Sequence, residues 1–295
     1  MVMKQYVVGI GEVLWDMLPN GRKIGGAPAN FAYHVSQFGL DGCVVSAVGD
    51  DALGDEIVNG LTSKGQNLKI ARVPYETGTV LVEMDDAGVP QYVIKENVAW
   101  DNIPFTPELE ELAKNTKAVC FGSLAQRGPV SRDTINRFLN AMPKDDDRLV
   151  VFDINLRQRF YTRQVIDNSI AKCNVLKIND EELDIVSRVF GFTEIDPKDK
   201  CRRLMENYNL KMLILTCGAN GSYVFTPEIV SFLPTPSVKV KDTVGAGDSF
   251  TGAFVSSILE GSTVREAHSR AVQTSAFVCT QSGATPALPD AIKGF

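Results

Sequence analysis

Six short runs of this chain are apolar at consecutive positions: "YVVGI" (6–10), "CVVSAV" (43–48), "AVCFG" (118–122), "LVVFDI" (149–154), "NVLKI" (174–178) and "MLILT" (212–216). A strand with one face in water alternates apolar and polar residues, so strands like these must be covered on both faces. Helical patterns lie between or after them, at 28–39, 131–141, 180–190, 199–208, 248–260 and 263–281. A helix that crosses over a sheet delivers the next strand parallel to the last. The order therefore predicts an α/β fold, a mostly parallel central sheet with helices on both faces. No repeat, low-complexity segment or linker interrupts it, which predicts one domain over residues 1–295.

Two segments break the rhythm. "GTVLVEMDDAGVPQYVIKE" (78–96) reads as a hairpin turning at "DDAG", and "EVLWDMLPNGRKIG" (12–25) as strand–turn–strand with Pro19 and Gly21 in the turn. They predict a small sheet at the edge of the main one, built from about 12–25 and 78–100. It reads either as two surface excursions or, because both segments flank a Gly-rich loop, as a lid. Exposed apolar strands on such a lid would suggest a homodimer through it.

A formal net charge of −6, with 22% charged residues of both signs interspersed, argues against nucleic acid or an anionic membrane as partner. The six cysteines form no C-x-x-C pair, and several sit in apolar runs such as "KAVCFGS". Neither a zinc site nor a disulfide framework is expected, which points to a reducing, cytoplasmic setting. The opening "MVMKQYVVGIGEV" is too brief for a signal peptide or a membrane span.

The chemistry concentrates at "DTVGAGDSF" (242–250). A helix N-terminus presents unpaired N–H groups and partial positive charge, and small residues before it let an anion approach the backbone. Gly245, Ala246 and Gly247 give such a turn, and Asp248 stands at its end. Asp248 reads either as the helix N-cap or as a base that takes a proton from an incoming hydroxyl while the amides hold negative charge. No G-x-x-x-x-G-K-[ST] is present, and "GIGEVL" has Leu14 where a dinucleotide fingerprint needs its third glycine.

Other stretches stay open on residues alone. "GGAPAN" (25–30) is a tight strand-to-helix turn or a polyol site, with Asn30 offering a donor and an acceptor. "FDINLR" places Asp153, Asn155 and Arg157 at period two where a strand ends. It reads as a phosphate site or as an Asp–Arg pair closing a loop. "NDEE" sets Asn179 and Glu182 on one helical face, for magnesium waters or as ordinary helix-start charge. "TCGANG" (216–221) is a turn. His34 and His268 match no catalytic pattern and read as structural.

Taken together, these segments resemble one family. "DTVGAGDSFTGAF" (242–254) is similar to the C-terminal signature of the ribokinase-like, or pfkB, sugar kinases, and "GGAPANFA" (25–32) to their N-terminal sugar-binding signature. "GDDALG", "FDINLR", "NDEE" and "TCGANG" match further family segments in order, so the resemblance spans essentially the whole chain. Within the family, "GEVLWDMLP", "GGAPANFA" and "GSLAQR" most resemble bacterial and plant fructokinases.

The resemblance implies a ribokinase-like fold with a small β lid, ATP and Mg2+ as cofactors, and a sugar as partner. Asp248 would be the base, with Gly245, Ala246 and Gly247 forming the anion hole and Arg157 acting on the nucleotide or the transferred group. Asp16, Gly25, Gly26, Asn30 and Gln126 would hold the sugar. Asn179, Thr216, Gly218, Gly221 and Gly247 would line the nucleotide, and Glu182 would hold Mg2+ through water. The 278–287 loop would close over adenine. Its Val278, Gln281 and Gly283, with Asp242 and Val244, would line a site for potassium (K+). Ala287 stands there where ribokinases commonly offer a serine, so weak potassium binding and partial activation are expected. Arg22 and Lys23 read as turn residues, which leaves no cation for a phosphorylated sugar. The expected reaction is ATP-dependent phosphorylation of a primary hydroxyl, D-fructose to fructose 6-phosphate. Another sugar (ribose, 2-keto-3-deoxygluconate), a nucleoside, or a catalytically silent binding protein remains as an alternative.

Overall fold

A computed structural model describes residues 5–18, 21–84 and 90–294. Among the described residues thirteen strands form two sheets. The strands are β1 (Tyr6–Ile10), β2 (Leu14–Leu18), β3 (Gly21–Gly25), β4 (Asp41–Gly49), β5 (Asn67–Val73), β6 (Gly78–Met84) and β7 (Pro90–Ile94). They continue with β8 (Thr116–Phe121), β9 (Leu149–Asp153), β10 (Val175–Asn179), β11 (Met212–Thr216), β12 (Ser222–Phe225) and β13 (Val230–Leu233). The main sheet runs in the order β13-β12-β11-β10-β9-β8-β1-β4-β5. It is parallel from β11 to β5 and antiparallel only at its β12 and β13 end.

The helices are α1 (Ala27–Gln37), α2 (Ala52–Ser63), α3 (Pro107–Lys114), α4 (Pro129–Ala141) and α5 (Arg163–Ile170). After them come α6 (Asp180–Phe190), α7 (Pro197–Tyr208), α8 (Ala246–Leu259), α9 (Val264–Cys279) and α10 (Asp290–Lys293). Neighbouring strand residues serve opposite cores, as the pleat dictates. Val7, Ala118, Val151, Val175 and Ile214 pack with α1, α8 and α9 residues such as Phe31, Phe254 and Ala271. Val8, Val119, Phe152, Leu176 and Leu213 pack with Ile135, Phe138, Ile166, Leu183 and Leu204 on the other face. The continuous apolar runs are thus the two-sided strands they predict.

The two irregular segments join in one sheet, ordered β3-β2-β6-β7, through a parallel β2–β6 pair. The expected hairpin turn at 85–88 and the Pro19 turn lie outside the described residues; Gly21 is the first residue of β3. Outward on this sheet, the cross-strand pair Leu81 and Val93 is exposed. "GDDALG" fastens the sheet to the main body. Asp51 caps α2 at the Gly54 N–H and accepts both the N–H and the hydroxyl of Thr77, just before β6. A buried ion pair of Arg127 and Asp101, under the Trp100 ring, ties the segment after β7 to the start of α4. Among the described residues no helix is long and apolar enough to cross a membrane. The six cysteines are free, four of them buried.

Candidate active site

In open parallel sheets ligands bind beyond the carboxyl ends of the strands, near the point where the strand order reverses. Here that point falls between β1 and β8. A cavity of about 10 Å³ opens there, lined by Pro28, Phe31, Gly122, Asp153, Asn155 and Asp248. The two signatures meet at this spot: Asn30 Nδ2 donates to Asp248 Oδ2 at 2.8 Å, across 218 positions of sequence.

Helix α8 begins at Ala246, two residues before the expected start, with Gly245 as its N-cap. Asp248 is therefore the third helical residue, and the capping alternative does not hold: no side chain caps α8. Gly245 has φ 78, a backbone conformation that glycine tolerates and side chains resist. The Ala246 N–H is taken by the Thr243 carbonyl at 3.2 Å, while those of Gly245, Gly247 and Asp248 donate to no protein carbonyl among the described residues. Of the three amides expected at 245–247, only that of Ala246 is therefore engaged.

Burial, then the Asp153 charge, pushes the Asp248 carboxyl up to about 6, against the pull of Asn30, Lys177 and Arg157. A carboxyl poised just below neutral pH is ionised at neutrality and still accepts a proton readily. Glu12, absent from the expected site, is fully enclosed nearby. Burial lifts its carboxyl to about 7, and its Oε2 has no hydrogen-bond partner among the described residues. Nothing in "GIGEVL" marks it, because a glutamate after a strand is ordinarily solvated.

Of the residues expected to hold the sugar, Asp16 lies against Gly25, whose missing Cβ leaves room for its carboxylate. Gly26, with φ 124, caps α1 and packs on the Glu12 carbonyl. Asp16 is raised by burial and lowered by Arg157 and Lys23, which sets Arg157 within electrostatic reach of Asp16, Glu12 and Asp248. The Asp–Arg pair considered for "FDINLR" is not made: Asp153 pairs with Lys177 at 3.1 Å. Gln126 sits apart. Its amide is spent on the Gly122 carbonyl and Ser169, and it lines a separate cavity of about 450 Å³ with Arg127, Arg132 and Arg159.

Asn179 and Glu182 form a reciprocal capping box at the start of α6, at 2.8 Å and 3.0 Å. Glu182 Oε1 also accepts the Leu156 N–H, and burial raises its carboxyl. Thr216 ends β11, Gly218 has open space around it, and Gly221 is bare because β13 packs against it at the Leu233 carbonyl.

The 242–244 and 278–283 segments do come together. Asp242 accepts the Val244 N–H at 3.1 Å and the Gly283 N–H at 3.0 Å. The Val278 carbonyl is occupied by the Gln281 N–H at 2.9 Å. Lys23 is not a turn residue. It lies in β3 and reaches Asp242 at 3.4 Å and Ser282 at 3.3 Å. Against burial, these N–H bonds and Lys23 hold the Asp242 carboxyl below its ordinary value. Arg22, also in β3, pairs with Glu56 and stacks on Trp15. Both histidines are structural: His34 donates to the Ala284 carbonyl at 2.8 Å, and His268 is held between Ser222 and Ser231.

Residues 20–291 match the family model for the pfkB family carbohydrate kinases. The chain is 30% identical to the probable fructokinase-2 of Arabidopsis thaliana, over 97% of this chain and 93% of that protein. It is 29% identical to the ATP-dependent 6-phosphofructokinase of Thermoanaerobacterium thermosaccharolyticum, over 97% and 92%. Its fold matches the 2-dehydro-3-deoxygluconokinase of Thermotoga maritima with a TM-score of 0.84, at 22% identity over 98% of both chains. An Escherichia coli structure in complex with ATP and Mg2+ matches with 0.80, at 20% identity over 96% and 95%. With both signatures joined at Asp248 and the family model matched over most of its length, the chain belongs to the pfkB family of carbohydrate kinases.

Proposed function

We propose that this sugar kinase phosphorylates the primary hydroxyl of D-fructose with ATP, and that Asp248 is its general base. The observation that carries the chemistry is the Asn30–Asp248 hydrogen bond, which sets a hydroxyl-binding amide beside the carboxylate at the start of a helix. Asp248 takes the hydroxyl proton as the sugar oxygen bonds to the γ-phosphorus. The bond from that phosphorus to the β-phosphate oxygen breaks, and ADP leaves. The free N–H groups of the Gly245–Asp248 turn stabilise the developing charge, and such a reaction depends on positioning and charge rather than covalent help. Arg157 is placed on the transferred group. The small sheet serves as a lid that keeps water, a competing acceptor, from the site.

Among the described residues no three acidic, histidine or cysteine side chains gather to hold a metal. Mg2+ keeps several waters and takes phosphate oxygens, so a single carboxylate suffices, and Glu182 at the start of α6 would hold it through water. When bound, the ion neutralises charge on the β- and γ-phosphates. Asn179, Thr216 and Gly218 are placed along the nucleotide. Gln126 is assigned to the scaffold, since its amide is already satisfied.

Fructose is favoured over a phosphorylated sugar because Arg22 and Lys23 are engaged by Glu56 and Asp242, and Asp16 repels a phosphate. Fructose 6-phosphate is the second reading, favoured by Arg157 within reach of Asp16. Coupled ADP-formation rates over fructose, ribose, 2-keto-3-deoxygluconate and fructose 6-phosphate test this. Fructose is expected to give the highest kcat/KM, and a higher value for any other would overturn the choice. Run in potassium and in tetramethylammonium buffers of equal ionic strength, the same assay addresses the cation. With the Lys23 ammonium already on Asp242, potassium is expected to raise the rate by no more than about twofold. Strict dependence would show that the ion, not Lys23, completes the site.

A further inference from the structure

Lys177 lies within the apolar run "NVLKI", where a charge has no evident purpose. It is buried on β10, and the parallel register sets it opposite Asp153 on β9. Its Nζ donates to Asp153 Oδ1 at 3.1 Å. The other Asp153 oxygen lies 3.2 Å from the Thr251 hydroxyl, which is also 3.0 Å from the Gly247 carbonyl. A Cβ on Gly247 would stand 2.9 Å from Lys177 Nζ, so the ammonium rests against the second residue of α8. Two strands and the phosphate turn are thereby joined through one ion pair.

A buried ion pair is seldom more stabilising than apolar residues of the same volume. Its retention here calls for another reason, and the place where negative charge develops supplies one. We propose that Lys177 is a positioning residue for phosphoryl transfer: held by Asp153, its ammonium braces the turn at Gly247 and sets a fixed positive charge behind it. The proposal rests on the reading of Asp248 as the base.

Burial would strip the proton from Lys177, but the Asp153 and Glu182 carboxylates outweigh it and hold its pKa above the ordinary value. The ammonium is therefore charged throughout the working range. The groups around Asp248 are Asp153 on β9, Lys177 on β10, Arg157 after β9, Glu12 after β1, Asn30 on α1 and Cys120 on β8. Only Lys177 and Arg157 among them favour the ionised carboxylate by their charge. Removing Lys177 leaves Asp153 to repel Asp248 with one cation fewer, which raises the pH at which the base ionises.

The test compares Lys177→Met, the pair-removing Lys177→Met/Asp153→Asn, and Asp248→Asn in kcat, KM for the sugar and the pH dependence of kcat/KM. Lys177→Met is expected to lower kcat ~10²–10³-fold, as loss of one preorganised charge-stabilising donor does, with the sugar KM within about threefold. Its acid limb should move up by about one pH unit. In the double variant the limb should return toward the wild-type position, because the repelling carboxylate is gone, while kcat stays at least ~30-fold down. An unmoved acid limb in Lys177→Met, or a kcat within about threefold of wild type, overturns the proposal. If the single variant does not fold, wild-type kcat in the double variant overturns it. Near-normal turnover of Asp248→Asn would instead remove the base reading on which the proposal stands. An inactive Asp248→Asn beside an active Lys177→Met removes the proposal alone.

Discussion

Asp248→Asn is expected to bind sugar and ATP, to lose turnover by ~10²–10⁴-fold, and to melt at a higher temperature than the wild type. Asparagine preserves the shape and can still face Asn30, yet it cannot accept the hydroxyl proton. The stability effect follows from the raised pKa. Folding lifts the carboxyl from 3.8 to about 6, so the folded state holds its proton more tightly than the unfolded chain does. That preference contributes stability fully below pH 3.8 and loses it as the pH rises through 6. Above pH 6 the charged carboxylate is a net penalty, which a neutral amide avoids. A kinetic assay and a thermal melt at pH 7.5 check both parts. Near-normal turnover would reduce Asp248 to a structural residue, and a lower melting temperature would contradict the account of its burial.

Gly245→Ala is expected to be nearly as damaging, although it alters no chemical group. Gly245 holds φ 78, and its carbonyl accepts the Ser249 N–H at 2.8 Å to start α8. A Cβ there would stand 2.5 Å from the Ala284 Cβ and 2.7 Å from its Cα. The 283–284 segment cannot easily yield, because Asp242 holds the Gly283 N–H and His34 holds the Ala284 carbonyl. The turn must therefore shift, and its free amides with it. Strained backbone of this kind costs about 1–3 kcal/mol of stability. One misaimed donor typically lowers kcat ~10²–10³-fold. Denaturant unfolding and steady-state kinetics measure the two. A variant that is stable and keeps kcat within about threefold would mean that the amides of this turn do not stabilise the transferred group.

Much of this was legible in the sequence because it is local. Two-sided apolar runs gave the central strands, and "MLILT" coincides with β11 (Met212–Thr216) to the residue. Strand β5 was missed since "NLKIARV", at the sheet's edge, mixes exposed and half-buried positions. Strands β12 and β13 are four residues each and antiparallel, too short to stand out from turns. Helix α5 has eight residues and depends on Thr162 for its cap. At the site, bare backbone before a carboxylate announced itself in "GAGDS". What stayed hidden depends on residues brought together by topology. Lys177 acquires its role from register with Asp153 and contact with Gly247, 70 positions later. Lys23 acquires its own from a loop more than 250 positions away that folds over β3.

The most direct measurement of the central claim is the pH dependence of kcat/KM for the sugar in the wild-type enzyme, from pH 4.5 to 9. In the free enzyme this quantity reports the ionisation of the essential base. With Asp248 raised to about 6, the rate should fall tenfold per pH unit below an acid limb centred near that value. A profile flat down to pH 4.5, with the protein still folded there, would contradict Asp248 as the group that takes the proton.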